Sequence, residues 1–228
     1  MKLYWILGII FLLNAALYAQ SEPTKLKVRK SNAVESIRDL KKGGAIIVRL
    51  KTKHRKIAIL ERNVRGLEGK PKRQERYEKM LNGTLKYRDA VNSAMIEGFR
   101  DSFSFCPVYF MYDSSSSRLH RGAREGLFLG QDLNIDPSIA IQEKNLFIVD
   151  FQKESAEFPF DVLKMRRLTE KLEDPFPYFA QVRESFLNEI NTPRIAGAAK
   201  QWSKRLSRFY TKRLDKIAVL EAKEKEEP

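Results

Sequence analysis

Apolar and polar positions repeat along this chain with two different periods, and each period predicts a different kind of element. The segment Gly43 to Leu50 joins a glycine pair to a run of mostly aliphatic residues, which is typical of a buried strand. The apolar residues that follow recur every three or four positions, which predicts a helix that ends near Gly66. Its stripe consists of Ile57, Leu60, Val64 and Leu67. A second helix is predicted from Lys72 to Phe99, so the two form a helical hairpin after the first strand.

Further apolar runs predict the remaining strands. Phe105 to Tyr112 is apolar almost throughout, as the central strands of a covered sheet are. Asn145 to Phe151 predicts another strand, and Gly126 to Leu129 and Asp161 to Met165 predict shorter ones. The prolines of Asp174 to Phe179 restrict that segment to an edge strand or an extended connection.

The last predicted element is a long helix that is expected to pack on the sheet. Thr192 suits its N-cap position and Pro193 its first turn. The helix carries an apolar stripe with a helical period. The stripe consists of Ile195, Ala199, Trp202, Leu206, Phe209, Ile217 and Leu220.

Strands separated by long helices predict an α/β (or α+β) protein with a mostly buried sheet. We expect a single α/β domain over 43–220, preceded by an extended lead-in over 20–42 and followed by a charged, frayed tail over 221–228. Open sheets of this kind bind ligands beyond the carboxyl ends of their strands. The segment that leaves the second strand, Asp113 to Gly122, is therefore the first place to look for a site.

The N-terminal residues 1–19 have the pattern of a secretory signal peptide. Lys2 precedes the apolar run Leu3 to Leu13, and small residues follow up to Ala19, where cleavage would leave Gln20 first. A retained membrane anchor is the alternative, although the apolar stretch is shorter than the roughly 20 residues that span a bilayer. Export to the periplasm is expected, with the extracellular space as the alternative, and no transmembrane helix is predicted in the mature chain.

The formal net charge of +14 is concentrated between Lys25 and Arg88, where basic residues greatly outnumber acidic ones. A cluster of cations crowds the end of the first strand and the start of the hairpin: Arg49, Lys51, Lys53, Arg55 and Lys56. Such a block attracts phosphate in nucleic acid, anionic lipid or lipopolysaccharide. Export removes most nucleic acid, which leaves an anionic envelope lipid or an envelope protein as the partner. A solvated helix surface that keeps the protein soluble is the alternative.

The segment Asp113 to Gly122 is the second candidate site. Its possible contacts to an anionic ligand are Ser114, Ser115, Arg118, His120 and Arg121. The same composition also describes a surface loop, and the segment lacks the glycine and lysine placement of a P-loop.

The sequence predicts no catalytic residue, no metal site and no cofactor. The two histidines, His54 and His120, lie in unrelated segments. Asp132 begins a run that resembles a calcium loop, but Pro137 occupies the position where such a loop needs a glycine. Cys106 lies in an apolar run and is expected to be a small buried residue.

Three apolar segments carry a family resemblance. They are Phe103 to Tyr112 with its Phe-Cys-Pro-Val-Tyr-Phe centre, Pro175 to Tyr178 (Pro-Phe-Pro-Tyr), and Leu206 to Tyr210 (Leu-Ser-Arg-Phe-Tyr). With the early strand and the hairpin, they resemble a family of uncharacterised exported bacterial proteins. The resemblance implies export and a shared core, and it implies no activity.

Two functions therefore stay open. The first is a non-catalytic envelope protein that binds an anionic surface or a protein partner through its basic N-terminal half. The second is a protein or enzyme that binds a small anionic ligand at Asp113 to Gly122. We favour the first because an enzyme needs convergent titratable groups, and the sequence offers only one thin cluster.

Overall fold

The structure is a computed structural model that describes residues 25–67, 69–153, 161–182 and 194–226. It confirms the α/β class, with helices packed on a mixed five-stranded sheet in the order β2-β1-β3-β4-β5. The strands are β1 (Gly44–Leu50), β2 (Val108–Tyr112), β3 (Asn145–Lys153), β4 (Asp161–Arg167) and β5 (Phe179–Val182). The helices are α1 (25–43), α2 (His54–Arg65), α3 (Pro71–Ser102), α4 (Ser116–His120), α5 (Ile195–Thr211) and α6 (Leu214–Glu226).

Parallel pairing brings the ends of the first three strands to one edge of the sheet. Strand β1 lies parallel to both β2 and β3, whereas β4 is antiparallel to β3 and to β5. The predicted hairpin, α2 and α3, is the connection from β1 to β2. The strand order then changes direction between β1 and β3, which makes their carboxyl ends a topological switch point.

The main core lies between one face of the sheet and the long helices. Alternate residues of β1 point to this face, and Ile46 and Val48 are fully buried there. Helix α5 packs against α3 and β5. Its Trp202 is fully buried and donates a hydrogen bond from Nε1 to the carbonyl oxygen of Pro177 at 2.6 Å. Helix α5, the first part of the predicted last helix, therefore packs on the sheet as predicted.

The opposite face of the sheet is covered by an irregular segment, 113–144, instead of a long helix. The smaller core on this side combines Ala45 and Ile47 of β1 with Leu119, Leu127 and Phe128. The predicted strand Gly126 to Leu129 forms only isolated bridges there.

The extended lead-in predicted for 20–42 is wrong over 25–42, because helix α1 spans 25–43. Four residues at helical spacing bury this helix in the main core: Ala33, Val34, Ile37 and Leu40. The core therefore begins before residue 43.

The C-terminal region differs from the predicted single helix and frayed tail. The chain turns between α5 and α6 at Lys212 and Arg213, and α6 continues to Glu226. The proposed cap residues Thr192 and Pro193 lie outside the described residues, as does the signal-peptide pattern of 1–19. Within the described ranges, no helix is both long enough and apolar enough to span a membrane.

Candidate functional site

The carboxyl edge of the sheet brings together the two clusters that the sequence suggested separately. Asp113, at the end of β2, accepts hydrogen bonds through Oδ1 from the backbone N–H of Thr52 at 3.0 Å and from its hydroxyl at 2.5 Å. Nη1 of Arg49 lies 3.4 Å from the hydroxyl oxygen of Ser116. The connection after β1 is therefore tied directly to the connection after β2.

Arg49 is committed to an ion pair inside this edge. Its Nε donates to Oδ1 of Asp150, the residue opposite it on β3. The Asp150 side chain is only 9% exposed, and Nε of Arg166 lies 3.9 Å from its other oxygen. A partly buried charge needs such a partner because it has lost most of its water. Arg49 therefore adds no unpaired charge to the predicted basic cluster.

The segment from Asp113 to Gly122 forms helical turns rather than an open loop. A 3-10 helix (Asp113–Ser115) leads directly into α4. Ser115 is buried, whereas Ser114 is exposed.

The cations of this segment are also exposed. His120 and Arg121 both face solvent. Arg118 donates to the carbonyl oxygen of Gly126 at 3.1 Å, which gives it a structural role. Of the five predicted contacts, one serine is therefore buried and one guanidinium is bonded to the backbone.

The turn between β1 and α2 concentrates positive charge. Asn92 of α3 holds this turn by accepting from the backbone N–H of Lys51 at 3.0 Å and donating to its carbonyl oxygen at 2.9 Å. Lys53 has a φ of 49°, a conformation that residues other than glycine adopt rarely, and its Nζ lies 4.2 Å from the ring centroid of Tyr87. Burial, and then the charges of Lys56 and Lys51, lower the pKa of Lys53.

Both hairpin helices begin with cations. The first turns of α2 and α3 contain no acidic residue, and neither N-cap side chain bonds the helix. Arg55 and Lys56 lie in the first turn of α2, and Lys72 and Arg73 lie in the first turn of α3. A helix start carries a partial positive charge, so cations there are unfavourable unless an anion is present.

The exposed cations of the hairpin have no ion-pair partner among the described residues. They are Arg55, Lys56, Arg62, Arg65, Lys70, Lys72, Arg73, Arg76, Lys79, Lys86 and Arg100. Some cations elsewhere have partners, as in the pair between Arg29 and Glu173. Others, such as Lys200 and Lys204 of α5, are exposed and have no ion-pair partner among the described residues. The hairpin differs in how many such cations it brings together on two adjacent helices.

Two apolar side chains interrupt this basic surface. Ile59 is 57% exposed and lies on the face of α2 that also carries Arg55 and Arg62. Met80 of α3 is 44% exposed. The hairpin therefore combines cations with apolar groups in contact with solvent.

Metal ligands and reactive groups are sparse. Within 25–67, 69–153, 161–182 and 194–226, no three His, Cys, Asp or Glu side chains form a group that could hold a metal ion. Asp132 and Asp136 cap turns through Asn134 and Ser138, and these hydrogen bonds lower the pKa of both carboxyl groups. Burial raises the pKa of the Cys106 thiol to about 12, which keeps it protonated.

The chain was compared with protein-family models, with curated proteins and with solved structures, and no match was found. The family resemblance of the three apolar segments therefore stays an expectation.

Proposed function

We propose that this is an exported, non-catalytic protein that binds an anionic envelope membrane through the hairpin α2–α3. Export rests on the signal-peptide pattern of residues 1–19. The observation that carries the binding function is the set of exposed hairpin cations without ion-pair partners among the described residues.

The distribution of charge favours binding over mere solubility. Soluble surfaces usually intersperse both signs of charge. The hairpin also carries exposed acidic residues, such as Glu61, Glu75 and Glu78, but the first turns of its two helices contain cations and no acidic residue. Each Lys or Arg close to an anionic bilayer contributes about 1 kcal/mol to its attraction. An anionic surface would offset the mutual repulsion that these side chains have in the free protein.

The apolar groups favour a lipid surface over nucleic acid. Ile59 and Met80 can enter the boundary between head groups and acyl chains, as apolar residues of interfacial helices do. Single-stranded nucleic acid instead needs exposed aromatic rings for stacking. The hairpin tyrosines Tyr77 and Tyr87 are only partly exposed, and Lys53 lies over the ring of Tyr87.

Cosedimentation of the mature chain with vesicles tests this function. We compare phosphatidylglycerol vesicles with neutral phosphatidylcholine vesicles, using the variant Arg55→Glu/Lys56→Glu. The matched control, Lys200→Glu/Lys204→Glu, makes the same charge change at two exposed positions of α5. At about 1 kcal/mol for each cation, the hairpin variant should bind at least about thirtyfold more weakly, and the control should stay within about threefold of wild type.

Two results would contradict the proposed function. Equal losses of affinity in the hairpin variant and the control would mean that vesicle binding depends only on the net charge and not on the hairpin. Binding to neutral vesicles as strong as to anionic ones would remove the electrostatic basis. Retention of an envelope protein without any vesicle binding would favour the protein partner instead.

A small anionic ligand at Asp113 to Gly122 has less support. Arg118 is bonded to the backbone of Gly126, and Arg49 is bonded to Asp150, so both guanidiniums already have partners. We propose no catalytic role for this segment.

A further inference from the structure

A cavity of about 520 Å³ lies at the tip of the hairpin, between the end of α2 and the start of α3. Its described lining residues include no acidic side chain. They are Arg62, Asn63, Gly66, Leu67, Arg73, Arg76 and Tyr77. Three arginines from two helices therefore line one space.

Nothing in the described residues neutralises these three arginines. None of them forms an ion pair with a described residue, and all three are exposed. Arg62 lies in the last turn of α2, where a cation interacts favourably with the helix dipole. Arg73 lies in the first turn of α3, where a cation does not, and Arg76 lies in the next turn. The position of Arg73 therefore calls for another explanation.

We propose that this cavity binds a phosphomonoester group, either free or at the end of a lipid head group. A phosphomonoester carries close to two negative charges at neutral pH and presents three acceptor oxygens. Arginine binds such oxygens through two parallel N–H bonds, so three arginines more than offset the charge of the group and can supply donors to all three oxygens.

The remaining lining residues suit the molecule to which the phosphate is attached. The Tyr77 hydroxyl and the Asn63 amide are hydrogen-bond donors, and Leu67 adds an apolar surface. The volume exceeds that of a single phosphate and falls within the range of small-ligand sites. Binding of a phosphate in a lipid head group rests on the proposed membrane function, whereas binding of a free phosphomonoester does not.

Titration calorimetry with inorganic phosphate and glycerol phosphate tests the cavity without a membrane. The variants are Arg73→Gln and Arg76→Gln, and the matched controls are Lys72→Gln and Lys79→Gln. These four changes remove one exposed cation each from α3, but only the first two affect the cavity.

We expect the cavity variants to weaken binding about tenfold or more, since hydrogen bonds to charged groups are stronger than neutral ones. The affinities of the controls should stay within about threefold of that of wild type. Arg73→Lys keeps the positive charge and loses the two parallel N–H donors of the guanidinium. Its affinity should therefore fall between those of Arg73→Gln and wild type. Wild-type protein that binds neither compound, or equal losses at all four positions, would overturn the cavity proposal.

Vesicles distinguish the two sources of phosphate. Phosphatidic acid presents a phosphomonoester and phosphatidylglycerol a phosphodiester, and the lipid fractions are adjusted to equal surface potential. Wild type should prefer phosphatidic acid, and Arg73→Gln/Arg76→Gln should lose that preference while still binding phosphatidylglycerol.

The two proposals fail in different ways. Binding of soluble phosphate without vesicle binding supports the cavity and contradicts the membrane function. Vesicle binding without a preference for phosphatidic acid, together with no soluble binding, contradicts the cavity and leaves the membrane function standing.

Discussion

The sheet and the hairpin both carry arginines, but the arginines do different things in the two regions. At the sheet, Arg49 and Arg166 flank the buried carboxylate of Asp150, and Arg167 pairs with Asp39 at 2.8 Å. On the hairpin, the exposed cations pair with no described residue. An arginine that stabilises the fold is thus recognised by the carboxylate with which it pairs. An arginine that is available to a partner has no such carboxylate among the described residues.

Desolvation explains this difference. The side chain of Arg49 is 23% exposed, so leaving it without a counter-charge would cost free energy. The hairpin cations remain in water, where their main cost is mutual repulsion that salt screens over about 8 Å at physiological ionic strength. Changes at the sheet should therefore affect stability, and changes at the hairpin should affect binding.

The largest expected effect concerns Cys106, a partly buried residue just before β2. Because burial raises the pKa of Cys106 to about 12, its thiolate fraction near neutral pH should be about a thousandfold below that of an unburied cysteine. The rate of labelling by a disulfide reagent should rise correspondingly in denaturant. Native labelling within about tenfold of the denatured rate would show that this side of the sheet is open to water.

The next effect tests the packing of α5. Trp202→Ala should lower the free energy of unfolding by about 3–5 kcal/mol, because it removes a fully buried indole and its hydrogen bond to Pro177. Lys200→Ala, on the exposed side of the same helix, should change it by less than about 0.5 kcal/mol. Urea denaturation measures both. A loss below about 1 kcal/mol for Trp202→Ala would mean that α5 does not belong to the core.

A smaller effect tests the ion pair at the sheet directly. Asp150→Asn should cost about 2 kcal/mol, because it leaves Arg49 without the carboxylate to which it donates. Arg62→Gln on the hairpin should cost less than about 0.5 kcal/mol, since no described residue pairs with it. Similar losses in the two variants would remove the distinction between the regions.

The sequence predicted those elements whose apolar period is uninterrupted. Strand β1, the hairpin and strand β3 follow from such patterns, and the structure places them within a few residues of the expected bounds. Helix α1 was missed because its first part is polar and charged, although Ile37 and Leu40 already had helical spacing. The break after α5 was missed because the apolar stripe continues across it.

The partners of the charged residues could not be predicted in the same way. Arg49 and Asp150 are far apart in the chain, and only the parallel register of β1 and β3 places them opposite each other. The convergence of Arg62 with Arg73 and Arg76 depends on how α2 turns into α3. The period of apolar residues predicts which face of a single helix or strand is buried. It predicts neither which strands pair nor how one helix turns into the next.

The salt dependence of vesicle binding tests the central claim most directly. The affinity of the mature chain for phosphatidylglycerol vesicles is measured from low to physiological salt, for wild type and for Arg55→Glu/Lys56→Glu. The account predicts a steep fall with salt for wild type, a much shallower one for the variant, and a change in the free energy of unfolding below about 0.5 kcal/mol. Affinity that is independent of salt, or the same slope in both proteins, would contradict the assignment of the hairpin as the anion-binding surface.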